Sequence, residues 1–72
     1  MGVIMKIIEI WLEGQKETTA TILSEVQAKN FKQACDKFFS IHPDKNNYDP
    51  KKLVFGGKRL FDNEVDARKK FG

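Results

Sequence analysis

Between Ala28 and Phe31 the apolar residues change period, and that switch restricts the fold more than any other feature of the chain. Before it, Ile8, Ile10 and Leu12 alternate with Glu9, Trp11 and Glu13. A period of two belongs to a half-buried strand. The spacing predicts a strand over Val3–Glu13, with Ile4 continuing the apolar face. Polar residues 14–17 form a turn. A second strand over Thr18–Ala28 places Ala20, Ile22, Val26 and Ala28 on one face, with Thr19, Thr21, Glu25 and Gln27 opposite. After the switch, Phe31, Ala34, Cys35, Phe38 and Phe39 recur at i, i+3, i+4, i+7 and i+8. That is one face of an amphipathic helix. Asn30 is its N-cap, and Gln33 completes a capping-box pattern. Pro43 cannot continue a helix, so the helix spans Phe31–Ile41.

The second half repeats the theme. His42–Pro50 is a loop rich in Asp, Asn and Pro. Leu53–Phe55 and Lys58–Phe61 flank Gly56-Gly57, the signal of a tight hairpin whose central residues need positive φ. Asp62 or Asn63 caps a last short helix. Glu64 and Asp66 stand in its first turn and Arg68, Lys69 and Lys70 in its last, an order that suits the helix dipole. Val65 and Phe71 are its expected inward residues. The order ββαββα predicts one α+β domain over residues 1–72. Two hairpins form an antiparallel sheet and both helices pack on one face. The other face is then open to water or to a partner. Folding hides roughly 60% of the surface of so short a chain, so most apolar residues belong to packing.

Charge and cysteine content narrow the class. Lysine and arginine exceed aspartate and glutamate by three. The excess lies in residues 45–72, which carry eight basic and four acidic side chains, against five and six in residues 1–44. A single cysteine permits no internal disulfide, which points to a cytoplasmic location. No apolar run reaches the roughly 18–20 residues of a membrane span. The N-terminal residues lack a signal-peptide layout, and Lys6 stands where a myristoylation motif needs Ser or Thr.

Catalytic and cofactor chemistry finds no constellation here. One histidine and one cysteine fall short of the four ligands of a structural zinc. Cys35 belongs to the apolar helix face and acts as a small hydrophobe. Gly56-Gly57-Lys58 lacks the spacing of a phosphate-binding loop. The expectation is a non-enzyme without metal or cofactor. Two surfaces remain as candidates. Trp11 and Ile7 point away from the helix-facing side of their strand and would meet a protein partner or a second copy of the chain. Lys51, Lys52, Lys58, Arg59, Arg68, Lys69 and Lys70 would contact nucleic-acid phosphates, with Tyr48, Phe55 or Trp11 as stacking platforms. A non-catalytic binding module acting through a protein partner is the leading reading. Nucleic-acid binding through the basic half is the alternative.

His42-Pro43-Asp44-Lys45, followed by Asn46-Asn47, resembles the loop of J-domain co-chaperones. That resemblance implies His42, Pro43 and Asp44 as contacts to an Hsp70. The stretch after the loop needs a long helix, and Pro50, Gly56 and Gly57 break it. The scaffold is therefore not expected to be a J-domain. The run from Arg59 to Gly72 (RLFDNEVDARKKFG) is similar to the ending of short bacteriophage and bacterial proteins. Those also begin with a strand ending in Glu-Gly, as at Glu13-Gly14. They carry a passage like Val26 to Ala34. That resemblance implies a mobile-element accessory protein.

Overall fold

The structure, a computed structural model, describes residues 4–70. It is a mixed α+β fold: β1 (Lys6–Leu12), β2 (Thr21–Ala28), α1 (Phe31–Ser40), β3 (Tyr48–Asp49), β4 (Val54–Phe55), β5 (Lys58–Phe61) and α2 (Glu64–Ala67). A single 3-10 turn over Lys45–Asn47 leads into β3. The five strands form one antiparallel sheet in the order β2-β1-β5-β4-β3.

This corrects the expected ββαββα order. A third strand precedes the Gly-Gly hairpin, because Tyr48 and Asp49 pair with Phe55 and Val54. The hairpins are joined by β1 and β5, the first and last strands of the chain. Trp11 faces Phe61 and Leu12 faces Leu60 across that seam, and the Glu13 N–H donates to the Arg59 carbonyl at 2.9 Å.

The local elements follow their sequence signals. The Asn30 side chain accepts from the Gln33 N–H at 2.8 Å, and the Gln33 side chain accepts from the Lys29 N–H at 2.9 Å. The first bond satisfies a helix-end donor, and the second reaches the residue before the cap, one position short of a reciprocal capping box. Gly56 and Gly57 hold φ of 59° and 81°, the paired left-handed geometry of a two-residue hairpin. Leu53 also sits at a positive φ, 54°. A left-handed leucine costs about 1–2 kcal/mol. Its N–H donates to Asp49 and its carbonyl accepts from Leu60, and its side chain packs on the core, so the neighbours impose the conformation.

The core lies between α1 and one face of the sheet. Ile10, Ala28, Ala34, Cys35, Phe39 and Leu60 are buried there, and Ile8, Leu12, Val26, Phe55 and Tyr48 pack around them. Phe39 stacks on Tyr48 at 4.4 Å and on Phe55 at 4.7 Å. Such pairs contribute about 0.5–1.5 kcal/mol each beyond burial. Ile4, expected on this face, is 83% exposed.

The register slips by one residue between Ile10 and Trp11. Ser24 stands opposite Ile10, Ile22 stands opposite Trp11, and Leu23 is the extra residue, packed against the core. The slip turns Ile22 to the outward face, contrary to the uninterrupted alternation expected of β2. Regular β2 begins at Thr21; Thr18 makes only an isolated bridge to Gln15.

The helices do not share a face. Val65, an expected inward residue, is 77% exposed, and Ala67 is the buried residue of α2. Ala67 lies outside the cluster beneath α1, and its carbonyl accepts from the Gly14 N–H at 3.1 Å. A four-residue helix tethered to the end of β1 borders the outward face instead. Phe71 lies outside the described residues.

Candidate functional site

The register of β1 fixes what the outward face displays. Ile7, Glu9 and Trp11 stand opposite Gln27, Glu25 and Ile22 on β2, and Trp11 stands opposite Phe61 on β5. Ile22, Trp11 and Phe61 thus form an apolar row across three strands. Ile7 is 65% exposed and Ile22 42% exposed, while Trp11 and Phe61 are half-buried. Trp11 stands directly opposite Ile22. Its Nε1–H donates to Glu9 Oε1 at 2.7 Å, so the indole is held at a fixed tilt. Glu9 and Glu25 face one another directly, an arrangement that is unfavourable within a sheet.

Where this face meets α2 there is a cleft of about 480 Å³ lined by Glu13, Arg59, Phe61, Asp66, Lys69 and Lys70. The Arg59 guanidinium lies over the Phe61 ring, 5.1 Å from its centroid. Glu13 Oε2 accepts from the Arg59 N–H at 3.3 Å. Asp66 Oδ2 accepts from Asn63 Nδ2 at 3.0 Å, and Asn63 Oδ1 caps α2 by accepting from the Asp66 N–H at 2.7 Å. Asn63, not Asp62, is therefore the cap.

Three of the seven basic candidates line one cleft, and the other four lie outside its lining. Arg59, Lys69 and Lys70 converge on the cleft. Arg68 is committed to Glu64 at 2.8 Å. The backbone N–H groups of Lys51 and Lys52 bond the Asp49 carboxylate in the turn between β3 and β4. Lys58 begins β5. Two of the expected stacking platforms, Tyr48 and Phe55, are half-buried and stack on Phe39 against the core. Phe61 lies in the cleft instead. Nothing local in the sequence marks Phe61, because the face of β5 is set by its partner strand.

A second group of titratable side chains lies where α1 meets β3. Asp36 accepts from Tyr48 Oη and from Lys32 Nζ, both at 2.7 Å. Lys32 first and Tyr48 second hold the Asp36 carboxyl below its ordinary range. Burial, reinforced by Asp36, pushes the Tyr48 phenol up. Burial likewise pushes the Cys35 thiol up to about 12. A thiol of that acidity is not a nucleophile near neutrality. His42 is half-buried against Phe38, Phe39 and Phe55, and its Nδ1 accepts from the Asp44 N–H at 3.0 Å. Asp44 precedes the 3-10 turn and makes no side-chain capping bond there. Short strands fill the stretch where a J-domain has its long helix.

Among the described residues no cluster of three or more His, Cys, Asp or Glu is placed to hold a metal ion, and no helix is long and apolar enough to cross a membrane. No family model, curated protein or solved structure matches the chain.

Proposed function

We propose that this chain is a non-catalytic, cytoplasmic binding module that docks a protein partner on the outward face of its sheet. The observation that carries this reading is the row Ile22–Trp11–Phe61, extended by the strongly exposed Ile7, on the face that α1 leaves uncovered. Buried aromatics at the centre of a patch dominate binding energy at protein interfaces. The hydrogen bond from Trp11 to Glu9 fixes the indole beforehand and limits the ordering needed on association.

Charge specifies the partner further. Glu9 and Glu25 border the apolar row and oppose each other. A partner with an apolar centre and a Lys/Arg rim relieves that repulsion, and such complementarity sets orientation and association rate. The placement of the perturbed groups supports a non-catalytic role. Cys35, Asp36 and Tyr48 all serve the contact between α1 and the sheet. The resemblance of the C-terminal run to phage and bacterial proteins fits an accessory role in a mobile element.

The test is affinity capture from bacterial lysate with the wild-type chain, Ile22→Glu and Ile7→Glu, with Lys51→Ala as control. Both isoleucines are exposed, so the variants keep the fold. The expected result is a basic protein held by wild type and by the control and lost from both isoleucine variants. Equal retention by all four chains refutes the reading. A concentration-dependent dimer in sedimentation, abolished by Ile22→Glu, identifies the partner as a second copy.

A further inference from the structure

The cleft between β1, β5 and α2 has a chemistry that the protein-docking face does not use. Arg59, Lys69 and Lys70 bring three cations to a space of about 480 Å³, and Phe61 forms part of its wall. That volume falls in the range of small-ligand sites. The ion pairs among the described residues are Lys32–Asp36 and Arg68–Glu64, and neither Arg59 nor Lys69 takes part in them. Arg59 is held in place by a ring rather than by a carboxylate. Contact with a ring face consumes none of the guanidinium's donors, so its planar fork stays free for the oxygens of a phosphate. A guanidinium laid over a ring is also a flat surface on which a base stacks.

The acidic residues of the cleft discriminate between anionic ligands. Glu13 and Asp66 already accept hydrogen bonds from within the protein, yet each carboxylate has further acceptor capacity. They repel a ligand that brings a second anionic group beside them, as an acidic peptide lying along the cleft does. To a nucleotide they offer acceptors for an exocyclic base amine, the way carboxylates meet cytosine. We propose that this cleft binds a nucleotide unit, its phosphate on Arg59 and Lys69 with Lys70 beside them, and its base against the Arg59–Phe61 stack. The ligand is a single-stranded nucleic acid or a free nucleotide, which share that chemistry. The cleft shares Phe61 with the protein-docking face, but its cations and its readout are its own, so either reading can fail without the other.

The experiment is fluorescence anisotropy of the full chain with a labelled single-stranded oligocytidine, a matching oligothymidine and, in competition, cytidine monophosphate and an oligoglutamate peptide. Oligocytidine is expected to bind at low salt, with log K falling against log salt at a slope of roughly −1 to −2 for two or three contacts. Arg59→Ala should weaken binding at least about tenfold and Lys69→Ala about threefold to tenfold. Lys51→Ala and Lys52→Ala should leave it unchanged. Lys69 is exposed and outside every element, so its variant keeps the test valid if Arg59→Ala fails to fold. Oligocytidine should be preferred to oligothymidine. Competition by cytidine monophosphate at the oligomer's own affinity supports the site and assigns it to free nucleotides. No binding at low salt overturns the proposal. So does equal loss in the Lys51 and Lys69 variants, which marks diffuse charge, and so does displacement by oligoglutamate more effective than by the nucleotide.

Discussion

Replacing Tyr48 with phenylalanine removes one hydrogen bond and little else. The ring stays stacked on Phe39 at 4.4 Å, and the lost contact is the 2.7 Å bond from Tyr48 Oη to Asp36. Hydrogen bonds to charged groups contribute about 1.5–3 kcal/mol. The Asp36 side chain is 42% exposed, so solvent screening reduces this one to about 1 kcal/mol. A chain of this length has a total stability of about 4–11 kcal/mol, and the loss should lower Tm by about 4–8 °C. The pH dependence follows from Asp36. Its folded carboxyl is held below the ordinary 3.8, by Lys32 first and Tyr48 second. Its contribution is therefore complete above 3.8 and disappears as pH falls through the lower folded value. Urea unfolding followed by the single tryptophan, Trp11, provides the assay. The cycle uses Tyr48→Phe, Asp36→Ala and the double variant, at neutral pH and at about pH 2. A coupling of about 1 kcal/mol at neutral pH that fades in acid is expected. A coupling near zero at neutral pH, or one that persists undiminished in acid, refutes the account of how α1 is fastened to β3.

Three further outcomes concern Cys35, Tyr48 and Gly56. Burial pushes the Cys35 thiol up to about 12 from an ordinary 9.0, and the Tyr48 phenol rises too. Both groups favour the folded state while neutral, so their contribution is complete below their ordinary values and is lost as pH rises through the folded ones. Stability should fall above pH 9, and Cys35 should react with a disulfide reagent at neutral pH only at the rate of unfolding. Labelling at the rate of a free thiol would contradict its burial. In the hairpin, an added Cβ at Gly56 meets nothing within 4 Å, so only its φ of 59° opposes substitution. Gly56→Asn should be close to neutral, and Gly56→Val should cost about 1–2 kcal/mol or more in thermal unfolding. Equal effects of Asn and Val would show that φ is not the constraint.

What was legible in the sequence is local. The period of Ile8, Ile10 and Leu12 located β1, Asn30 and Gln33 located the start of α1, and Gly56-Gly57 located the hairpin. Each signal acts over one turn or one strand, so its physics is complete within a few residues. The same holds for Cys35, whose place on the apolar helix face anticipated its burial.

The tertiary structure decided whatever depends on which elements meet. Tyr48 and Asp49 carry no strand periodicity and become a strand only because β4 offers them an edge. The slip beside Leu23 turns Ile22 outward, and period alone cannot announce a slip, because the extra residue is defined by the partner strand. Pairing of β1 with β5 puts Phe61 beside Trp11 and gives both candidate sites their neighbours. The end of α2, tied to Gly14, gathers Lys69 and Lys70 to Arg59 while Arg68 turns to Glu64. Local patterning along the chain is enough to specify an α+β fold with an amphipathic helix and a surface rich in cations. The tertiary structure alone selected which cations share a cleft and which aromatics lie on the surface, because those assignments rest on contacts between residues some 50 positions apart.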